Sequence, residues 1–343
     1  MSSAPPVHLV GSVRLANEEE VFRAIAAGLA TRARRYPDGE TGERHYWIRW
    51  QKRIFENNPS LELAGQREGW RKDTPLPYYR FRSGVAPRDL SFPGLGYADA
   101  AINSYKTFAR LQNEGVIPAT VRFMVALPTP VAVMTTFMLM EQRAAVEPAY
   151  ERAIIGELER IIKAVPSDQL AIQWDVCHEI LAADGAFPLH YDDILDGTFE
   201  RLARMSSAIP DAAEFGIHLC YGDPEHKHIK EPADIATAVA FANGISQHVR
   251  RRIDWIHMPV PRGRSDDAYF AALKNLKLRP ETQLVLGLVH YSDGFDGTMQ
   301  RVRAAQKVVS AFGVATECGF GRRSPETIPE LLQIHARVAD AVA

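Results

Sequence analysis

The sequence predicts an α/β protein of the (β/α)8 class, a TIM barrel, with a long insertion after the second strand. Three observations lead there. Eight short apolar stretches are each followed by a stretch of helical spacing. These apolar stretches are rich in Val, Ile and Leu along their whole length, as strands buried on both faces are. The chain has 343 residues, a length that suits one such barrel. An open doubly wound sheet is the alternative, but no Gly-x-Gly-x-x-Gly follows the first strand.

Residues 7–10 are the first apolar run and stop at Gly11-Ser12. Asn17 reads as an N-cap, with Glu18, Glu19 and Glu20 in the first turn and Val21, Phe22, Ile25 and Leu29 at helical spacing. Residues 33–36 form the second strand. A turn-rich loop, Pro37-Asp38-Gly39-Glu40-Thr41-Gly42-Glu43-Arg44, follows and is dense in ionisable groups. A helix is expected over 46–55. Residues 57–118 carry many Pro and Gly, the aromatics Trp70, Tyr78, Tyr79 and Phe81, and one helical piece over 98–111. They read as a lid-like segment inserted into a single barrel domain spanning 1–343. Alternation then resumes. Strands are expected over 120–126, 170–175, 215–220, 253–258, 282–289 and 313–316. Helices are expected over 131–164, 191–207, 233–249, 267–276 and 297–312, and from Ser324 to about Val342.

Composition narrows the function classes. The chain is 46% hydrophobic and 24% charged, as a protein with a substantial core is. A formal net charge of −2 gives no reason to expect nucleic acid or an anionic membrane as partner. Arg250-Arg251-Arg252 reads as a solvated helix C-terminus. Three cysteines make no disulfide framework and fit a reducing, cytoplasmic setting. Residues 1–6 show no basic and apolar leader, so no signal peptide is expected. The apolar stretch 124–140 is broken by Pro128 and Pro130 and is short for a membrane span.

In a barrel, reacting groups sit at the C-terminal ends of strands. Those ends carry Ser12, Asp38 and Glu40, Thr129, Asp175, His218 with Cys220, His257, His290 with Asp293, and Glu317 with Cys318. His218 and Cys220 are two apart, so on a strand both face one side. With Cys318 they would make a Cys2His zinc site with an open position. Cys177 has no second ligand at a clear spacing and reads as core filler. His226 and His228 lie on a polar loop and read as solvated.

These residues resemble the catalytic C-terminal domain of cobalamin-independent methionine synthase, in the superfamily that also holds uroporphyrinogen decarboxylase. The likeness runs over nearly the whole chain in fragments: Val10-Gly11-Ser12, Gly39-Glu40 with Glu43-Arg44, Leu127-Pro128-Thr129, Gln173-Trp174-Asp175, His218-Leu219-Cys220-Tyr221, and Glu317-Cys318-Gly319 with Arg322. It implies zinc on His218, Cys220 and Cys318. It also implies Glu40 and Asp175 on the amino group of a homocysteine-like thiol, and the Gly11-Ser12 loop on its carboxylate. His290 or Asp293 would deliver a proton to the leaving group. The pattern departs at the family's further zinc-ligand Glu, where Pro259 stands, and after the seventh strand, where His290-Tyr291-Ser292-Asp293 replaces Asp-x-His-Ser. His257 or the loop after Cys220 could substitute for the missing ligand. The implied partners are a small-molecule thiol and an alkyl donor, namely methyl-tetrahydrofolate, methylcobalamin or another alkyl compound. Two rivals stand beside this transferase reading. One is a metal-free lyase or decarboxylase that grips carboxylates with Arg122, Arg262 and Arg322. The other is a barrel that binds a thiol without turnover.

Overall fold

The computed structural model describes residues 6–69, 75–224 and 227–342. Trp70, His226 and residues 1–5, where no signal peptide is expected, lie outside the described residues. In chain order the strands are β1 (Arg35–Pro37), β2 (Leu61–Arg67), β3 (Leu76–Phe81), β4 (Arg122–Pro128), β5 (Leu170–Val176), β6 (Glu214–Leu219), β7 (Trp255–Pro259), β8 (Gln283–Val289) and β9 (Gly313–Thr316). β1 and β4 to β9 form one curled sheet in the order β1-β4-β5-β6-β7-β8-β9, and every neighbouring pair is parallel. β2 and β3 form a separate antiparallel pair.

The expected first strand, residues 7–10, makes no ladder. Val7 instead bridges Ala33 on one side and Val314 on the other, so the segment lies between the two edges of the curled sheet. Farther along, Ser12 bridges Gly39 and Val13 bridges Phe320. Seven of the eight expected strands are therefore laddered, and the sheet is barrel-like without continuous closure. The short β1, three residues long, leaves little edge to extend a ladder on.

The helices are α1 (Glu18–Leu29), α2 (Lys52–Glu56), α3 (Tyr97–Asn113), α4 (Pro130–Phe137), α5 (Arg143–Ala164), α6 (His178–Ala183), α7 (Ile194–Ser206), α8 (Ala236–His248), α9 (Asp267–Phe270), α10 (Gly294–Gln306) and α11 (Ile328–Ala341). Asn17 caps α1 as its sequence suggests, its side chain accepting from the Glu20 N–H at 3.0 Å. Among the described residues no helix is long and apolar enough to cross a membrane.

Four expectations need correction. The helix expected over 46–55 is a 3-10 segment, Gly42–Gln51, broken at Tyr46 and Trp47 before α2 begins. Trp47 has φ 56°, which no helix accommodates. The helix expected over 131–164 splits into α4 and α5. Arg143 Nε donates to Met138 O at 3.1 Å and Arg67 Nη2 to Thr135 O at 2.5 Å, satisfying carbonyls at the break. The stretch 57–118 is more regular than expected, since it holds β2, β3 and α3. Tyr79 from β3 and Phe92 pack with Phe55, Phe137 and Tyr150 in one aromatic cluster. Arg251 also differs, because its guanidinium is covered, bonding Ala213 O and lying over the Phe215 ring.

Two layers of the core cover the two faces of the sheet, and a small third cluster of Val131, Ala182 and Leu189 lies apart from them. The larger layer lies between sheet and helices. The smaller fills the concave side of the sheet with Val10, Met124, Ala171, Trp255, Val285 and Ala315, drawn from six different segments. β6 contributes Gly216 to this level, and a β-carbon there would overlap the Trp255 indole. Gly216 thus makes the room that Trp255 occupies. We expect Gly216→Ala to lower stability by about 1–3 kcal/mol through overpacking. Urea unfolding checks this; an unchanged midpoint would mean that the indole has somewhere else to go.

Candidate metal centre

The strand ends build one cleft of about 980 Å³ of unfilled space. Its lining includes Gly11, Ser12, Glu40, Trp47, Asp175, Cys177, His178, His218, Cys220, Asp223, Cys318 and Arg322. Register explains the convergence. Asp175 of β5 lies opposite His218 of β6, which lies opposite His257 of β7. Cys220 follows just past the end of β6, and Cys318 follows β9 by two residues.

His218, Cys220 and Cys318 come together. One ligand atom from each lies within 4.8 Å of the others, and the two sulfurs are 3.7 Å apart. Ser12 seats the Cys318 loop. The Phe320 N–H donates to Ser12 O at 2.5 Å and the Gly321 N–H to Ser12 Oγ at 3.2 Å. A β-carbon at Gly319 would run into Ser12, so only glycine lets these loops approach.

The hydrogen bonds assign the tautomers. Burial holds His257 down to about 4 and His218 well below the usual imidazole range, so both rings are neutral at pH 7. His257 Nε2 lies 3.0 Å from Thr316 O, which can only accept, so that nitrogen carries the proton. His257 Nδ1 is then the acceptor of the 2.7 Å bond from His218 Nδ1–H. His218 Nε2 is left as a bare lone pair, buried and without a hydrogen-bond partner among the described residues. A buried orphan lone pair beside two thiols is what a metal ligand requires. His257, weighed above as a substitute ligand, stands behind His218 and orients it.

The donor set suits zinc: one neutral imidazole and two thiols that deprotonate on binding. Without metal the thiols are held protonated. Contact with Cys177 pushes Cys220 up, and the Cys220 contact and burial push Cys318 up. Arg322 Nη2 donates to Cys318 Sγ at 3.0 Å and Arg322 Nε to Asp223 O at 2.9 Å. Arg322 thus offsets part of the charge the thiolates bring.

Beside this cluster lie two carboxyls. Gln173 Nε2 donates to Asp175 Oδ1 at 2.9 Å and to Val10 O at 2.7 Å, and Trp47 Nε1 donates to Asp175 Oδ2 at 3.1 Å. Gln173 Oε1 lies 3.3 Å from the Trp255 Nε1 donor and 3.0 Å from His8 Nε2. Burial pushes Asp175 up to about 8. Burial, then the nearby Asp175 charge, pushes Glu40 up to about 8. Glu40 and Trp47 both have positive φ, 47° and 56°, a strained backbone of the kind that gathers at functional sites.

Other expected residues are placed elsewhere. His290 and Asp293 are not among the residues lining the cleft. His290 Nε2 bonds Val260 O at 2.8 Å and its Nδ1 lies 3.4 Å from Glu317 Oε2. Asp293 is clamped by Arg301 through bonds of 2.7 and 2.8 Å. Of the three arginines weighed as carboxylate grips, only Arg322 lines the cleft. Arg122 opens β4 and binds Ser167 O and Ala212 O, and Arg262 binds Ser292 Oγ. The His228 side chain is covered rather than solvated, 3.3 Å from Glu231. Trp47 carried no sequence signal, because its place depends on a broken helix. Cys177, read as filler, lines the cleft beside Cys220.

The carboxyl pair sets a pH dependence. Folded, both groups keep their protons to about pH 8, whereas an unfolded chain releases them near pH 4. Between those limits the folded state binds more protons, so this pair lowers stability as pH rises. Glu40→Gln is neutral throughout and should flatten the fall between pH 5 and 8. Urea midpoints across that range test it, and an unaltered slope would contradict the buried-acid assignment.

No protein-family model matches the sequence, and no curated protein matches it. Among solved structures, the fold is similar to that of a Listeria monocytogenes protein provisionally named a vitamin-B12 independent methionine synthase. The two share 14% identity and superpose with a TM-score of 0.58, covering 100% of this chain and 99% of the other. At that identity the likeness is one of fold.

Proposed function

We propose that the cleft is the active site of a zinc-dependent thiol alkyltransferase, most simply a methyltransferase with a homocysteine-like acceptor. The observation that carries this is the convergence of His218 Nε2, a bare buried lone pair, with the thiols of Cys220 and Cys318. The fold likeness to a protein named as a methionine synthase points the same way.

Bound by these three residues, zinc would turn an incoming thiol into a nucleophilic thiolate at neutral pH. The chain's own residues place the rest of the acceptor. Glu40 and Asp175 receive its ammonium group, with Gln173 and Trp47 fixing both Asp175 oxygens. An ammonium between two carboxyls held near pKa 8 draws both into the charged form, so binding at pH 7 releases protons. The Gly11-Ser12 loop faces the cleft to meet the carboxylate. His290 and Asp293, expected as proton sources for the leaving group, stand outside the cleft lining, bonded to Val260 O and Arg301, so neither of them is assigned the donor-side proton. The donor is a methyl-folate, a methyl-corrinoid or another alkyl compound.

Metal analysis of the purified protein tests the reading. About one zinc per chain is expected, and it should be absent from the Cys220→Ser/Cys318→Ser double variant. Metal-free protein that stays active after Cys318→Ser would support the lyase alternative; zinc and thiol binding without product would support the binding-only barrel. Orientation by His257 is separately testable. His257→Leu leaves His218 Nδ1–H without its acceptor and should weaken zinc binding by about 10–100-fold. Competition with a chromophoric chelator measures this, and equal affinity would remove the positioning role.

A further inference from the structure

We infer that Cys177 and Cys220 are an oxidisable dithiol in the wall of the cleft, a modification site that a peroxide converts into a disulfide. The backbone sets the pair. β5 and β6 run in register through Asp175 with His218 and Val176 with Leu219. The Cys220 N–H then donates to Val176 O at 3.0 Å, which extends the pairing by one step and puts Cys177 opposite Cys220. Neighbouring strands lie about 4.8 Å apart, within the roughly 4.4–6.8 Å Cα separation that disulfides span. The Cys177 thiol neighbours the Cys220 sulfur closely enough to act on it. Both side chains line the cleft, so a small oxidant reaches them from its mouth.

Cys220 has a second thiol neighbour, Cys318, at 3.7 Å. Cys318 comes from the far side of the sheet order, after β9, and its sulfur accepts from Arg322 at 3.0 Å. In the zinc reading, on which this choice of partner rests, Cys220 and Cys318 are both ligands. Cys177 is then the thiol of the cluster left to resolve an oxidised Cys220.

The chemistry balances with hydrogen peroxide as the two-electron oxidant. The Cys220 thiol first gives up its proton; the thiolate attacks one peroxide oxygen and takes it as sulfenic acid, and the other oxygen leaves as water with the proton returned. The Cys177 sulfur attacks the Cys220 sulfur. The S–S bond forms, the S–O bond breaks, and a second water leaves with the Cys177 proton. Two thiols and one peroxide give one disulfide and two waters. The product takes Cys220 out of the donor set until a thiol reductant restores it, and it keeps the sulfur from irreversible sulfinic acid.

The test treats the purified full-length protein, its zinc content measured beforehand, with hydrogen peroxide, then alkylates free thiols and maps peptides by mass. The expected result is a linked Cys177–Cys220 peptide, loss of two hydrogen masses, zinc released in step, and full reversal by dithiothreitol. In Cys177→Ser, Cys220 should instead gain two oxygens and resist dithiothreitol. A Cys220–Cys318 link, or Cys177 still fully alkylatable after oxidation, overturns the inference. Protein that holds no zinc but forms the Cys177–Cys220 link would sink the metal reading and leave the dithiol standing. Zinc-loaded protein without the link would do the reverse.

Discussion

Two buried imidazoles share one hydrogen bond, and the direction of its proton governs the cleft. Thr316 O accepts from His257 Nε2, His257 Nδ1 accepts from His218 Nδ1, and His218 Nε2 is left to face the thiols. The order holds only because burial keeps both rings neutral. It also needs β6, β7 and β9 to stand in their present order, since the three groups come one from each. A backbone carbonyl on one strand thus fixes which nitrogen is available three strands away.

A second chain of polar groups runs beside the first. His8, Trp255 and the carbonyl of Val10 hold Gln173, and Gln173 with Trp47 holds Asp175. Trp255 belongs to both the inner core and this network. Packing on the concave side and the posture of Asp175 are therefore coupled, and Gly216 contributes by leaving the indole its space. Burial that would otherwise penalise Asp175 and Glu40 is tolerated because both can hold a proton. The cleft is consequently less charged at neutral pH than two carboxyl side chains would otherwise make it.

Much of this was legible beforehand for a stated reason. Strand interiors announce themselves by apolar runs, and the barrel rule then assigns the residues after each run to one rim. That logic reached His218, Cys220, Cys318, Glu40 and Asp175 as neighbours in the cleft. It reached too far at His290 and Asp293, which follow β8 yet lie outside the cleft lining, His290 bonded to Val260 and Asp293 to Arg301. It stopped short at the insertion, where weak alternation in Leu61–Arg67 and Leu76–Phe81 concealed a strand pair. It could not see Trp47, whose left-handed backbone follows from its surroundings rather than from its neighbours in the chain.

By itself the sequence determined the alternation of strands and helices and the residue types at the strand ends, because both follow from local hydrophobic period and turn chemistry. Tertiary structure decided which of those residues meet. Register set Cys177 against Cys220 and Asp175 against His218, and the curl of the sheet brought Cys318 across to both sulfur and imidazole. It also decided proton positions, since a histidine's tautomer depends on a carbonyl supplied from a distant strand. Such choices rest on contacts between segments about a hundred residues apart, and no local pattern encodes them.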